Sequence, residues 1–156
     1  MKTTESEGVS PPAGGAVDAS SEEQPSLAVR VLLASLLASA AAIHLVLVPA
    51  HAALSDVDAV LFSVTGWVQL GLAVAVAAWP TRTTVLAIAG VSAVTLGALV
   101  WSRTAGLPFG SHAGVAEEVD GLTLFTGGVE LATLLLAAAV LARPGLGARA
   151  SNEALT

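Results

Sequence analysis

The chain is organised as four long runs of apolar residues separated by polar connections. The runs cover about residues 27–48, 57–79, 83–102 and 120–142. A helix needs about 20 apolar residues to cross the roughly 30 Å hydrocarbon core of a bilayer, and each run is close to that length. None of them alternates polar and apolar residues as a barrel strand does. The pattern therefore predicts an all-α fold, an integral membrane four-helix bundle over residues 27–143.

Polar segments flank this bundle on both sides. Residues 1–26 consist mainly of Ser, Gly, Pro, Ala and acidic residues. Such a segment buries too little apolar surface to offset the entropy lost on ordering, so we expect a disordered acidic tail. Residues 144–156 are expected to form a short flexible tail.

Composition narrows the function classes. The chain is 54% hydrophobic and 12% charged, whereas a soluble domain has about 25% charged residues. Its formal net charge of −6 argues against a nucleic-acid partner, which requires clustered basic residues. Cysteine is absent and the single methionine is Met1, so neither thiolates nor an internal thioether can ligate a metal.

The basic residues predict the topology. Only Arg103 lies between the third and fourth apolar runs, whereas the N-terminal region, the second connection and the C-terminal region carry Lys2, Arg30, Arg82, Arg143 and Arg149. Basic residues concentrate on the cytoplasmic side of membrane proteins. We therefore expect a multi-pass protein of the plasma (inner) membrane with both termini cytoplasmic.

The first apolar run has an alternative interpretation as a signal peptide. Ala38, Ser39 and Ala40 form a small-residue pattern typical of a cleavage site. Cleavage there would leave three helices and put His44 near a new N-terminus. Two features favour a retained helix: the preceding segment is acidic, and the apolar run continues to Val48.

The connections and small residues predict how the helices pack. The segment WPTRT between the second and third runs is so short that these helices must form an antiparallel hairpin. Small residues four positions apart allow close helix approach in membranes. Such pairs are Ala93 with Gly97 and Gly128 with Ala132.

Two polar residues lie deep within the apolar runs. Glu130 falls inside the fourth run and Gln69 near the middle of the second. A charged side chain at the centre of a membrane helix costs about 2.5–3.5 kcal/mol on insertion scales, so Glu130 is expected to face the bundle interior. It is either a proton carrier, ligand or counter-ion, or a neutral acid bonded to a neighbouring helix. Gln69 lies at a similar depth and is a candidate partner for Glu130.

Two histidines lie near one end of the first run. His44 is inside it, and His51 follows Pro49. If the helix continued through Pro49, the spacing of seven would place both imidazoles on one face. The pair is a tentative site for a transition metal or haem. Alternatively, His44 bonds a neighbouring carboxylate and His51 is solvated.

The polar stretch after the third run supplies further candidates. Trp101 is expected at the membrane interface, and Asp120 as the N-cap of the fourth helix. Arg103 either reaches the interface and stabilises the helix C-terminus, or forms a buried pair with Glu130 or Asp120, or captures an anionic group.

These residues suggest an outward-facing polar pocket, lined by Gln69, Trp101, Arg103, Asp120 and Glu130. We expect a non-enzymatic protein that binds a metal, haem or a small polar ligand there. Two alternatives remain: a structural accessory subunit of a respiratory or metal-handling membrane complex, and a small proton-coupled transporter. The partners would be the lipid bilayer and either another membrane protein or a second copy. No catalytic motif or nucleophile–base pair supports an enzyme.

The string WSRTAGLPFG, followed by acidic residues, an Asp at the next helix start and a Glu within that helix, resembles a family of small, uncharacterised four-helix membrane proteins from high-GC actinobacteria. The strings IHL…PAH and GWVQL are also similar to that family. The resemblance covers about residues 30–142 and excludes both tails. It implies the membrane fold but no activity. It also implies that one pattern includes Trp101, Ser102, Arg103, Gly106, Pro108, Gly110, Asp120 and Glu130.

Overall fold

The computed structural model describes residues 25–143. Within that range the chain forms α-helices and no strands. They are α1 (Leu27–Ala52), α2 (Asp56–Ala78), α3 (Arg82–Thr104) and α4 (Gly121–Leu141). Each helix is long and apolar enough to cross a membrane. The predicted all-α fold with four membrane-length helices is confirmed, whereas the predicted tails lie, apart from Pro25 and Ser26, outside the described residues.

Every helix begins at a polar side chain that caps it. The caps accept hydrogen bonds from backbone N–H groups three residues further on, which would otherwise have no partner. They are Ser26, Ser55, Thr81 and Asp120. The predicted N-cap role of Asp120 is confirmed.

The first helix does not end at Val48 as predicted but continues through Pro49 to Ala52. A proline lacks only its own N–H donor, and the Pro49 carbonyl still accepts a hydrogen bond from the Ala53 N–H at 3.2 Å. The helix thus carries both His44 and His51, seven positions apart on one face.

The helices pack mainly as two pairs. The α1–α2 and α3–α4 contacts are the most extensive, α1 also contacts α4, and the α2–α3 hairpin packs least among the neighbouring helices. Helices α2 and α4 therefore lie diagonally opposite each other. A close approach within the first pair occurs at Gly66, where a Cβ would lie 2.7 Å from Leu45 Cγ.

The small residues expected to bring helices together do not do so within this chain. No atom lies within 4 Å of the Cβ position at Gly97 or Gly128, and their partners Ala93 and Ala132 are exposed. In a chain this rich in Ala and Gly, four-residue spacings arise by composition alone. Gly66, outside those pairs, makes the close contact instead.

The core changes character along the bundle axis. We call the end that carries residues 105–120 the loop end and the opposite end the terminal end. Buried residues follow an alternating three- and four-residue spacing, which on α4 gives Thr123, Thr126, Glu130, Thr133, Ala137 and Val140. The terminal half of the core is apolar, built from Leu33, Leu37, Ala73, Val76, Val85, Ile88, Ala137 and Val140. Buried polar side chains therefore begin at mid-bundle and continue toward the loop end.

The outer surface of the helices is apolar. Val46, Val94 and Leu124 are 77%, 73% and 68% exposed, which in water would be costly over four whole helices. Trp79 and Trp101 are exposed at opposite ends, where aromatic residues of membrane proteins meet the headgroups. A bundle with polar groups inside and apolar groups outside is suited to lipid as its solvent.

Candidate functional site

Four polar residues meet in the middle of the bundle, one from each helix. They are His44 of α1, Gln69 of α2, Ser92 of α3 and Glu130 of α4, and all four are buried. We call this group the polar centre. The Gln69 amide Nε2 donates a hydrogen bond to Glu130 Oε1. The Ser92 hydroxyl and the His44 imidazole are the other polar groups close enough to act on the Glu130 carboxyl, although Ser92 makes no hydrogen bond with it.

The sequence places these residues together through the spacing of each buried stripe. Gln69 lies between Gly66 and Ala73 on the face that α2 buries. Ser92 follows Ile88 by four positions on α3. Residues separated by three or four positions share a helix face, so each polar side chain points where its apolar neighbours point.

Hydrogen bonding at the polar centre is incomplete. Glu130 Oε2, Gln69 Oε1 and Ser92 Oγ are buried and have no hydrogen-bond partner. They come from α4, α2 and α3. A buried polar atom without a partner costs about 1–3 kcal/mol, so the centre has the capacity for a further hydrogen-bonding group.

The two histidines of α1 flank one aromatic ring. The His51 ring stacks on Phe62 with centroids 3.6 Å apart, and the His44 ring lies tilted at 5.4 Å from the same ring. Both Nδ1 atoms are 2.9 Å from backbone carbonyl oxygens one turn earlier, Ala40 O and Leu47 O. These contacts hold Nδ1 as the donor, which leaves Nε2 of each ring as the nitrogen available to accept.

The hypothesis of a metal or haem at His44 and His51 gains no support from this arrangement. Phe62 contacts both imidazoles. No group of three or more His, Cys, Asp or Glu side chains that could hold a metal ion occurs in residues 25–143. The alternative expectation, a bond from His44 to a neighbouring carboxylate, is not realised among the described residues: its Nδ1 bonds the Ala40 carbonyl, and Glu130 is a neighbour of the imidazole without a hydrogen bond to it.

The connection between α3 and α4 is anchored to α2. The Ser111 N–H and hydroxyl donate hydrogen bonds of 2.9 and 2.7 Å to Asp58 Oδ2. Gly110 has φ +88°, and a Cβ there would lie 2.9 Å from the Asp58 carboxyl carbon. Only glycine adopts such a conformation and such an approach at little cost.

Arg103 anchors the same connection to α3. Its Nη1 lies 3.0 Å from Glu117 Oε2 and donates a 2.5 Å hydrogen bond to the Glu118 carbonyl. The Glu117 N–H donates to the Ser102 carbonyl at 3.0 Å. The carboxylate that pairs with Arg103 is thus Glu117 and neither Glu130 nor Asp120, because the connection folds back over the last turn of α3.

Asp120 serves the start of α4. Its Oδ1 accepts hydrogen bonds of 2.6 Å from the Thr123 hydroxyl and 2.7 Å from the Thr123 N–H. These two bonds, assisted by the nearby charge of Arg103, hold the pKa of Asp120 below its usual value.

The five residues expected to line one pocket divide into separate groups. Gln69 and Glu130 meet in the polar centre, whereas Arg103 and Asp120 stabilise the connection at the loop end. Arg103 lies eleven positions beyond Ser92 on α3, about 16 Å along the helix axis. Trp101 is 53% exposed and faces outward.

Sequence reasoning missed Ser92 and Phe62. Both follow the periodicity of the buried stripes: Phe62 lies one turn before Gly66, and Ser92 one turn after Ile88. A helical face drawn through the buried positions Gly66 and Ile88 includes both. The sequence gives no signal for Ser92, because a lone serine costs little in a membrane helix and is common there.

No protein-family model, curated protein or solved structure matches the chain.

Proposed function

We propose that this protein is a non-enzymatic integral membrane protein whose polar centre binds one small hydrogen-bonding ligand. A proton is the ligand that fits this centre best. The observation that carries the proposal is the set of buried, unpartnered atoms there: Glu130 Oε2, Gln69 Oε1 and Ser92 Oγ. If these residues served helix packing alone, their buried polar atoms would be expected to be hydrogen-bonded to one another.

A proton suits the polar centre because it supplies a hydrogen-bond donor where buried oxygens lack a partner. Gln69 already donates from Nε2 to Glu130 Oε1. A proton on Oε2 makes that oxygen a donor, with Gln69 Oε1 and Ser92 Oγ as the acceptors at hand. One added proton thus supplies the partner that two buried oxygens lack, and it removes the cost of a carboxylate charge within the membrane.

Access to the centre is one-sided. From mid-bundle toward the loop end, the buried residues include His44, Thr123 and Thr126. Beyond Thr133, which lies one turn after Glu130 on α4, the core toward the terminal end consists of apolar side chains such as Leu33, Leu37 and Ile88. A proton or small polar ligand therefore reaches Glu130 from the loop end, and the described core offers it no polar path beyond Thr133. This favours reversible binding over transport across the membrane.

The proposal places the loop end away from the cytoplasm. Among residues 25–143, Arg30, Arg82 and Arg143 lie at the terminal end and Arg103 lies at the loop end. This distribution supports cytoplasmic termini in the plasma membrane. Retention of α1 is supported by the buried positions of Leu33 and Leu37 in the core.

A structural accessory subunit is the second candidate, favoured by a different observation. The Gln69–Glu130 hydrogen bond joins α2 to α4, which lie diagonally opposite and share little other contact. A bond across the diagonal fixes the rotation of both helices. In that case the centre specifies helix packing, and its protonation state never changes.

Infrared difference spectroscopy on protein in lipid nanodiscs separates the two candidates. The proposal expects a carbonyl stretch of a protonated carboxylic acid that changes with pH, is lost in Glu130→Gln and persists in the loop variant Glu118→Gln. A band that is lost in Glu130→Gln but constant across pH would identify a permanently neutral packing residue. The absence of any Glu130-dependent band would refute proton binding at the centre.

A further inference from the structure

A groove of about 420 Å³ lies between α1 and α2 in the terminal half of the bundle. Small residues, Ala34, Ala38, Ala73 and Ala77, line it together with larger apolar side chains. It is separate from the polar centre, and its lining contains none of the centre's residues.

One basic residue stands at the terminal end of this groove. Arg30 is the only charged side chain among the described residues that line it. Its Nη2 donates a hydrogen bond to the Ala77 carbonyl in the last turn of α2, and its Nε is buried without a partner. Arg30 forms no ion pair with an acidic residue among residues 25–143, so its charge is not neutralised by a neighbouring carboxylate.

The length of the groove matches one leaflet of a bilayer. Along α1 it extends from Leu27 to Ala38, about 16 Å at 1.5 Å per residue. That is close to half of the roughly 30 Å hydrocarbon core. The basic residue at one end of the groove corresponds to the position of a phospholipid headgroup. The apolar walls that continue to mid-membrane correspond to its acyl chain.

The charge distribution favours an anionic lipid. Within residues 25–143, the terminal end carries Arg30, Arg82 and Arg143 and no acidic residue. Each basic residue near a membrane surface adds to the attraction for anionic headgroups.

We propose that the groove binds one acyl chain of an anionic phospholipid, with the lipid phosphate at Arg30. The main competing occupant is an α-helix of a second copy, since alanines four positions apart also suit helix association. A parallel two-fold dimer through this groove would bring two Arg30 side chains toward each other. That repulsion favours the lipid.

Native mass spectrometry of the detergent-purified full chain tests the site with phosphatidylglycerol and phosphatidylcholine of identical acyl chains. The expected result is preferential retention of phosphatidylglycerol. Arg30→Gln should weaken that retention about fivefold, the factor expected for one basic residue at an anionic surface, and Arg30→Lys should largely preserve it. Ala38→Phe, which fills the groove from an exposed position, should reduce retention of both lipids.

Two variants serve as matched controls. Arg82→Gln removes a charge at the same end, and Ala87→Phe adds the same bulk at an exposed position of α3 outside the groove. Ala87→Phe should retain phosphatidylglycerol like the parent protein, and Arg82→Gln, whose charge lies outside the groove, should weaken that retention less than Arg30→Gln does. If Arg30→Gln and Ala38→Phe retain lipid as well as these controls, the proposal is wrong. If Ala38→Phe instead converts a dimer to a monomer without altering lipid retention, the occupant is a second copy and the lipid site is refuted.

Discussion

The side chain of Gln69 on α2 donates a hydrogen bond to the carboxyl of Glu130 on α4, across the diagonal of the bundle. The two residues are 61 positions apart in the chain and are both almost fully buried. Neither helix packs extensively against the other. The bond is therefore a specific link in a region otherwise held by apolar contacts between neighbouring helices.

Removing one partner of this link should be worse than removing both. Gln69→Leu leaves the buried Glu130 carboxyl without its donor and is expected to destabilise the bundle by about 1–3 kcal/mol. Gln69→Leu combined with Glu130→Leu should recover most of that loss, because replacing both partners by apolar groups is nearly neutral. Reversible unfolding in mixed micelles measures the free energies. The exposed Trp67→Leu on the same helix is the control. A double variant no more stable than Gln69→Leu alone would contradict the prediction.

The ion pair between Arg103 and Glu117 should control the order of the α3–α4 connection. With both side chains partly exposed, such a pair is worth about 0.2–1 kcal/mol. Arg103→Gln is expected to increase hydrogen exchange at residues 105–119 while leaving the helices protected. Glu118→Gln is the control, because Arg103 bonds the backbone carbonyl of that residue and not its carboxylate. Equal protection of the connection in both variants would argue against the anchoring role.

Glycine at position 110 should matter more than glycine at position 114. Both have positive φ, +88° and +73°, but only at Gly110 would a Cβ meet the Asp58 carboxyl. Gly114→Ala should cost about 1–2 kcal/mol from backbone strain alone. Gly110→Ala should lower the free energy of unfolding by more than that. It should also speed hydrogen exchange of the Ser111 amide, because that amide donates to Asp58. Comparable effects of the two substitutions would show that the Asp58 contact contributes little.

The cap at Asp120 should make part of the stability depend on pH. Hydrogen bonds from Thr123 hold the pKa of Asp120 below its usual value, which is about 3.9 in an unfolded chain. The carboxylate therefore stabilises the folded state above that pH, and this contribution is lost as the pH falls through the lower folded-state pKa. Asp120→Ala should lower the unfolding temperature at neutral pH. The difference from the parent protein should shrink as the pH is lowered below about 4, and a difference that grows on acidification would contradict the prediction.

The number and type of helices followed from local pattern alone. The apolar runs before Pro80 and after Asp120 predicted α2 and α4 within one or two residues. The end of α1 was placed four residues too early because proline was treated as a terminator. In the structure Pro49 lies at the start of the last turn of α1, where its missing N–H removes one bond and its carbonyl still accepts another.

The candidate site was predicted in part. Glu130 and Gln69 were recognised because polar groups in lipid are costly, and their partnership was expected from similar depth. Several roles were left open for Arg103, and none of them named its ion-pair partner Glu117, because Glu117 lies in a connection whose path depends on Gly106, Gly110 and Gly114. Helical periodicity gives no information about such a path.

The sequence by itself determined the solvent, the helices and the depth of each polar residue, since these depend on hydrophobicity and on the constant rise of a helix. Only the tertiary structure decided which faces meet. It paired α1 with α2 and α3 with α4, brought Ser92 and His44 to the Glu130 carboxyl, and left Gly97 and Gly128 without close neighbours. The physical reason is that helix packing depends on the shapes of two surfaces at once, a property of pairs of segments that neither segment encodes alone.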